Sequence, residues 1–305
     1  MIKMNRMDAK CIKRRVQQLV DGVISVMFYG CVLFVGWIVL QVTTFASFKI
    51  PTDSMEPALI PGDNILVNKW VMGARIFDIW EAAAGEKVDV YRLPGFGEVE
   101  RNDVLVFNFP YPAEWDSIGW NLKTYFVKRC VGLPGDTFEI RNAHYHVRGF
   151  SGSLGCTYMQ DRLQQLLADT VHRPLGIVMS GYPYDNRVLW NIGDFGPLYI
   201  PRRGDCIPMN LGNGILYRNL ISWEQDKRVE LRDDSVFLGD SLIREYRFQK
   251  DYYFMVGDNV QNSQDSRYWG LLPEDYVVGK AVRIWKSENR LTGEIREERF
   301  WKKIE

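Results

Sequence analysis

Apolar positions are distributed in two different ways along this chain. After Asp21 no charged residue occurs until Lys49, which leaves an uncharged run of 27 positions from Gly22 to Phe48. Val23, Met27, Phe28, Leu33, Trp37 and Leu40 in this run surround a helix rather than forming one stripe, as suits a helix facing lipid. A bilayer-crossing helix needs about 20 mostly apolar residues, whereas the core of a cleavable signal peptide has only about 7–15. The pattern therefore predicts a transmembrane helix over 22–48. Residues 1–15 hold Lys3, Arg6, Lys10, Lys13, Arg14 and Arg15 against Asp8 alone. Basic flanks stay in the cytoplasm, so 1–21 is expected inside and everything after Lys49 outside.

Beyond residue 49 the apolar residues fall into short runs rich in β-branched and aromatic side chains. These are 64–67, 103–107, 125–127, 137–140, 252–256 and 277–285, and they read as strands. Gly-Asp recurs between them, at Gly62-Asp63, Gly135-Asp136, Gly193-Asp194, Gly204-Asp205, Gly239-Asp240 and Gly257-Asp258, and that dipeptide suits turns. The one helix expected outside the membrane runs from Asp161 to Asp169. Strands without long intervening helices imply a mainly β, antiparallel architecture. The expected organisation is a catalytic β domain from 49–140 and 251–305, with 141–250 as an accessory β subdomain.

Composition narrows the chemistry. Lys plus Arg and Asp plus Glu both number 38, and this balance speaks against a nucleic-acid partner. Only His144, His146 and His172 are available as histidine bases or metal ligands. His144-x-His146 lacks nearby cysteines or carboxylates to complete a site, so neither metal nor cofactor is expected. Of the five cysteines, Cys11 falls inside and Cys31 in the span, leaving Cys130, Cys156 and Cys206 outside. A Cys156–Cys206 pair stays open.

Three segments carry candidate chemistry. Directly after the span, Pro51-Thr52-Asp53-Ser54-Met55-Glu56-Pro57 places a serine in a stretch stiffened by two prolines. As an isolated feature it reads equally as a juxtamembrane linker. Tyr125-Phe126-Val127-Lys128-Arg129-Cys130, read as a strand, sets Lys128 on one face with Phe126 and Cys130, and Arg129 on the other. Desolvation lowers a lysine's pKa, and a neutral amine can take a proton from a hydroxyl. Lys280, in Val277-Val278-Gly279-Lys280-Ala281, has a similar setting, so local sequence leaves the choice between the two lysines open. In the third segment, a strand runs into the polar loop Gly257-Asp258-Asn259 to Asn262-Ser263-Gln264-Asp265-Ser266-Arg267.

Taken in order behind an apolar span, these motifs together with Pro61-Gly62-Asp63 and Gly132-Leu133-Pro134-Gly135-Asp136 resemble bacterial type I signal peptidases (leader peptidases). The resemblance covers the span and about 48–70, 100–140 and 252–285, and is loose over 141–250. It implies Ser54 as nucleophile and Lys128 as general base. Thr52 and the Ser54 N–H would be oxyanion donors, Ser263 would orient the lysine, and Asp265 with Arg267 would brace the site. Asp53, Ala58 and Val260 depart from the residues usual there, a small residue, Thr and Arg respectively. The implied substrates are exported preproteins cut after Ala-x-Ala, at the outer face of the cytoplasmic membrane, beside the lipid bilayer and the secretion translocon. Trp70, Met72, Ile76 and Phe77 are candidates either for the membrane interface or for the core. The alternative function is a non-catalytic, membrane-anchored β domain that binds secreted chains or partner proteins.

Overall fold

The structure, a computed structural model, describes residues 6–86, 88–112, 115–169 and 177–305. His172 and the first five residues of the basic N-terminus lie outside the described residues. The chain divides into two compact units, Met1–Phe45 and Ala46–Glu305.

The first unit is one helix, Arg6–Thr43. Its segment Lys13–Leu40 is exposed throughout and is long and apolar enough to cross a membrane. The helix begins well before the uncharged run, because residues 9–20 are mostly good helix formers. It also ends five residues before the expected boundary at 48. Thr43 and Thr44 donate their hydroxyls to the carbonyls of Val39 at 2.7 Å and Leu40 at 2.6 Å. After them, Phe45–Lys49 is a strand of alternating exposed and half-buried residues, the period-2 pattern of a sheet.

The second unit is built on a mostly antiparallel sheet. Its strands run in the order Phe45–Lys49, Asp63–Asn68, Val277–Ser287, Val104–Asn108, Tyr125–Gly132, Tyr252–Val256 and Leu272–Pro273. The short strand Lys302–Lys303 pairs with Val277–Ser287. Val104–Asn108 and Tyr252–Val256 are buried on both faces, which is why their sequences are continuously apolar rather than alternating. Ile50, Met55, Leu59, Ile65, Val67 and Val106 form a core on one flank. Phe107, Tyr111, Trp269 and Tyr276 form another. Each of the six expected strand runs is a strand here.

The segment 141–250 is less separate than its sequence suggests. Thr137–Arg141 pairs with both His144–Val147 and Phe195–Tyr199, so this smaller sheet starts before the expected boundary. Phe138 stacks on Phe254 at 4.2 Å, and one apolar cluster runs from Val131 and Val256 through Phe195 to Phe248. Two helices accompany the strands. Thr157–Ala168 is the expected helix, begun four residues earlier. Leu211–Gln225 was not expected. Asn210 caps it by accepting from the Asn213 N–H at 2.9 Å, and Ile215, Leu220, Ile221 and Trp223 lie on its buried side. Two glycines, poor helix formers, hide it in the sequence. Gly214 lets the helix lie close to its neighbours: a Cβ there would come within 2.7 Å of Leu231 and Val236 side chains.

Cys156 and Cys206 are free thiols. Of the four residues left between interface and core, Trp70 and Ile76 are exposed. Met72 and Phe77 pack against the core, Phe77 stacking on Trp120 at 5.5 Å.

Candidate active site

Two stretches that the sequence separates by 74 positions meet at one point: Lys128 Nζ lies 2.7 Å from Ser54 Oγ and donates to it. Lys128 comes from the strand Tyr125–Gly132, which is held on one edge by Val104–Asn108 along its whole front half. On its other edge, pairing with Tyr252–Val256 begins only at Arg129. Tyr125 to Lys128 therefore offer an open strand edge, beside a groove of about 430 Å³ lined by Ser54, Thr52, Phe126, Lys128 and Asn262.

The lysine is 4% exposed, and its ammonium sits over the Phe126 ring at 5.5 Å. Burial is the largest influence on it and lowers its pKa from 10.5 to about 8. Asp265 opposes the fall, Arg267 adds to it, and Asp258 and Asp53 oppose it. A neutral amine in contact with a hydroxyl can accept its proton and leave an alkoxide able to attack a carbonyl. Such chemistry needs the unprotonated amine, so the rate should rise with pH. The expected kcat/KM profile of the free protein has an acid limb with a midpoint near 8. A midpoint near the ordinary lysine value would count against Lys128 as the base. Lys280, the competing lysine, donates to Asp103 Oδ1 at 2.6 Å.

Thr52 Oγ1 is 3.4 Å from Ser54 Oγ. Among the described residues, no hydrogen bond occupies the Ser54 N–H. These two donors are available to an oxygen entering beside Ser54.

Ser263 is buried near Ser54, but its hydroxyl has no hydrogen-bond partner in the protein, so the expected bond to Lys128 is not formed here. Gly257 separates the two serines: a Cβ on it would lie 2.1 Å from Ser263 Oγ and 2.5 Å from the Ser54 carbonyl oxygen. Gly257→Ala must push one of them away. Displacements of about 1 Å cost roughly 100-fold in catalysis, and a loss of that size in kcat/KM, with the circular-dichroism spectrum unchanged, is expected.

Asp265 and Arg267 are both fully buried and joined in parallel, Nε to Oδ1 and Nη2 to Oδ2, each at 2.8 Å. Asp265 also accepts from the Gly257 N–H at 2.9 Å, and Arg267 donates to the Val260 carbonyl at 2.9 Å. Val260, one of the departures from the usual pattern, thus contributes through its backbone, with its side chain buried at 1% exposure. Asp53, another departure, is gripped by the Asn262 amide at 3.1 and 2.9 Å.

Other supporting residues escaped the sequence reading. Arg129 is paired in parallel with Asp258, at 2.6 Å for both bonds. Arg299 is paired in the same way with Asp63, at 2.9 and 2.6 Å, and also holds the Ala58 carbonyl at 2.9 Å. Arg290 donates to the Pro51 carbonyl at 2.6 Å and Arg296 to the Pro61 carbonyl at 3.1 Å. The loop carrying Ser54 is therefore clamped along both flanks by arginines from 290–299. No spacing in the sequence links these residues; the only signal was the density of arginines late in the chain.

His144 takes Asp161 and the Asn142 carbonyl as partners, both at 2.9 Å. No group of three His, Cys, Asp or Glu among the described residues is placed to hold a metal.

Residues 22–286 match the family model described as signal peptidase, peptidase S26. Among individual relatives, a signal peptidase I from Buchnera aphidicola is 26% identical over 84% of this chain and 72% of its own length. One from Pseudomonas aeruginosa is 28% identical over 85% and 72%. A signal peptidase I crystal structure from Enterococcus faecalis aligns at 21% identity with a TM-score of 0.27, over 60% of this chain and 95% of that one.

Proposed function

Because this chain belongs to the signal peptidase family, peptidase S26, we propose that it is a membrane-held serine endopeptidase that removes signal peptides from exported preproteins. Family membership makes it a peptidase. The Ser54–Lys128 mechanism, the Ala-x-Ala preference and the placement in the membrane are the finer reading. The single observation that carries it is the 2.7 Å approach of a deeply buried lysine amine to a serine hydroxyl at the wall of a groove.

In this reading a preprotein lies extended along the free edge of Tyr125–Lys128, adding a strand to the sheet. Lys128 Nζ accepts the Ser54 proton as Oγ bonds to the scissile carbonyl carbon. Negative charge passes to the carbonyl oxygen, which the Ser54 N–H and the Thr52 hydroxyl stabilise. Such donors are worth about 2.7–4 kcal/mol each in comparable sites. When the C–N bond breaks, the ammonium returns the proton to the departing amine and an ester on Ser54 remains. Water then gives a proton to Lys128 as its oxygen bonds to the ester carbonyl carbon; the bond from that carbon to Ser54 Oγ breaks, Lys128 returns the proton to Oγ, and the signal peptide leaves with a new carboxyl group. Lysine, unlike histidine, needs no third group to fix a tautomer. Asp265 and Arg267 act as positioning residues around it.

Position along the chain supports the substrate. Ser54 follows the apolar helix by eleven residues, so both it and a signal peptide's scissile bond would emerge near the outer surface of the membrane. Purified protein in detergent, mixed with a preprotein ending its signal sequence in Ala-x-Ala, should release a mature chain whose N-terminus follows the second alanine. Replacing that alanine by a bulky residue should abolish release. Binding without any cleavage would favour the non-catalytic anchored domain instead.

A further inference from the structure

The groove beside Ser54 has an unusual charge balance. Of the residues lining it, Asp53 is the one carboxylic acid and Lys128 the one amine. Lys128 must be neutral to act as a base, so the working groove contains one fixed negative charge.

That charge is held firmly. Asn262 Nδ2 donates to both carboxylate oxygens of Asp53, at 3.1 and 2.9 Å. The Asp53 carbonyl accepts from the Glu56 N–H at 2.9 Å and from Asn259 Nδ2 at 3.3 Å. Among the described residues no lysine, arginine or histidine forms an ion pair with Asp53. An amide partner satisfies the oxygens without neutralising them. Asp53 is half-buried as a residue, and it adjoins the residue proposed to attack the substrate.

We propose that Asp53 is a specificity-determining residue: it favours a cationic over an anionic substrate side chain next to the scissile bond. The inference rests on the peptidase reading above and adds a preference to it. The field of Asp53 reaches the reacting centre, since Asp53 is among the groups that hold the Lys128 pKa up against burial. A substrate side chain lying between the two would feel the same field, attractive for Lys or Arg and repulsive for Asp or Glu. Partly screened charges at contact distance still attract or repel one another appreciably.

The test is a peptide series with the Ala-x-Ala sequence, carrying Lys, Ala or Glu either at x or at the first residue after the cut. With full-length protein at low salt, Lys should exceed Glu in kcat/KM by about tenfold at one of the two positions. The ratio should shrink as ionic strength rises. In Asp53→Asn it should fall towards one, with each rate divided by the same variant's rate on the Ala peptide so that any general loss cancels. A wild-type protein that cleaves all three peptides equally at both positions overturns this proposal and leaves the peptidase reading intact. So does a preference that persists in Asp53→Asn. Should that variant not fold, a salt-insensitive preference in the wild type overturns the proposal by itself. Failure of the wild type to cleave any peptide overturns both readings.

Discussion

Lys128→Met should abolish preprotein cleavage, with a loss on the order of 10⁴-fold or more in kcat, and Ser54→Ala should lose about as much. The double variant should be hardly worse than either one, because a nucleophile without its base and a base without its nucleophile are equally idle. Methionine keeps the bulk of the lysine stem, so the cavity beside Phe126 stays filled. The same variant carries a second expectation, of opposite sign. Folding takes the Lys128 amine from an ordinary pKa of 10.5 to about 8, chiefly by burying it. Between these values the unfolded chain binds a proton that the folded one does not, so this group's contribution makes stability rise with pH through that window. Below about pH 8 both states are protonated and the full penalty of burying the cation applies. It is on the order of 3 kcal/mol at pH 7. Lys128→Met removes it, so the inactive protein should melt at a higher temperature than the wild type at pH 7, with the gap narrowing towards pH 10. Calorimetry across that range, beside a cleavage assay, reads both effects. Unchanged activity would remove Lys128 from the mechanism, and unchanged stability would remove the claim that its burial is costly.

Asp265→Ala should be the most destabilising of the supporting substitutions. Arg267 has 0% side-chain exposure, and two of its nitrogens bond to Asp265. Without the carboxylate a fully buried guanidinium would lose its charged partner, and such losses cost about 3–5 kcal/mol. Removing Asp265 also frees the Gly257 N–H that it now accepts from, at the point where Ser263 and the Ser54 backbone approach. Denaturant unfolding should therefore show a large fall in midpoint, and the remaining folded protein should be a poor catalyst. Arg187 and Asp185 supply the control. They too form a two-bond pair, at 2.8 and 2.7 Å, but Arg187 is exposed, and Arg187→Ala should change the midpoint very little. Equal effects at the two pairs would mean that burial does not set the cost.

The parts of the fold that the sequence made legible are those where one local signal decides. Continuous apolarity without charge marks the helix through Leu40, and β-branched runs mark the strands around Val106, Phe126 and Phe254. The helix end at Thr43 was missed because it depends on two hydroxyls turning back onto Val39 and Leu40. An apolarity count cannot register that. Leu211–Gln225 was missed because Gly212 and Gly214 lower its local propensity, while the packing of Ile215, Leu220 and Trp223 decides the outcome. The site divides in a similar way. Ser54, Lys128, Ser263, Asp265 and Arg267 stand in short motifs whose order carries the resemblance. Choosing Lys128 over Lys280 on physical grounds required the third dimension, since only there does Asp103 claim Lys280. The Arg129–Asp258 and Arg299–Asp63 pairs join residues 129 and 236 positions apart. Neither partner has a neighbour in sequence that announces the other.

The clamp on the Ser54 loop has a consequence for how such a protein is born. Translation delivers Ser54 first and Lys128 later, but Arg290, Arg296 and Arg299 emerge only long after both. Until then the carbonyls of Pro51, Ala58 and Pro61 lack the donors that fix the loop. A copy still being made, before those arginines emerge, would carry Ser54 on an unclamped loop, and the geometry around it would be fixed only once they arrive.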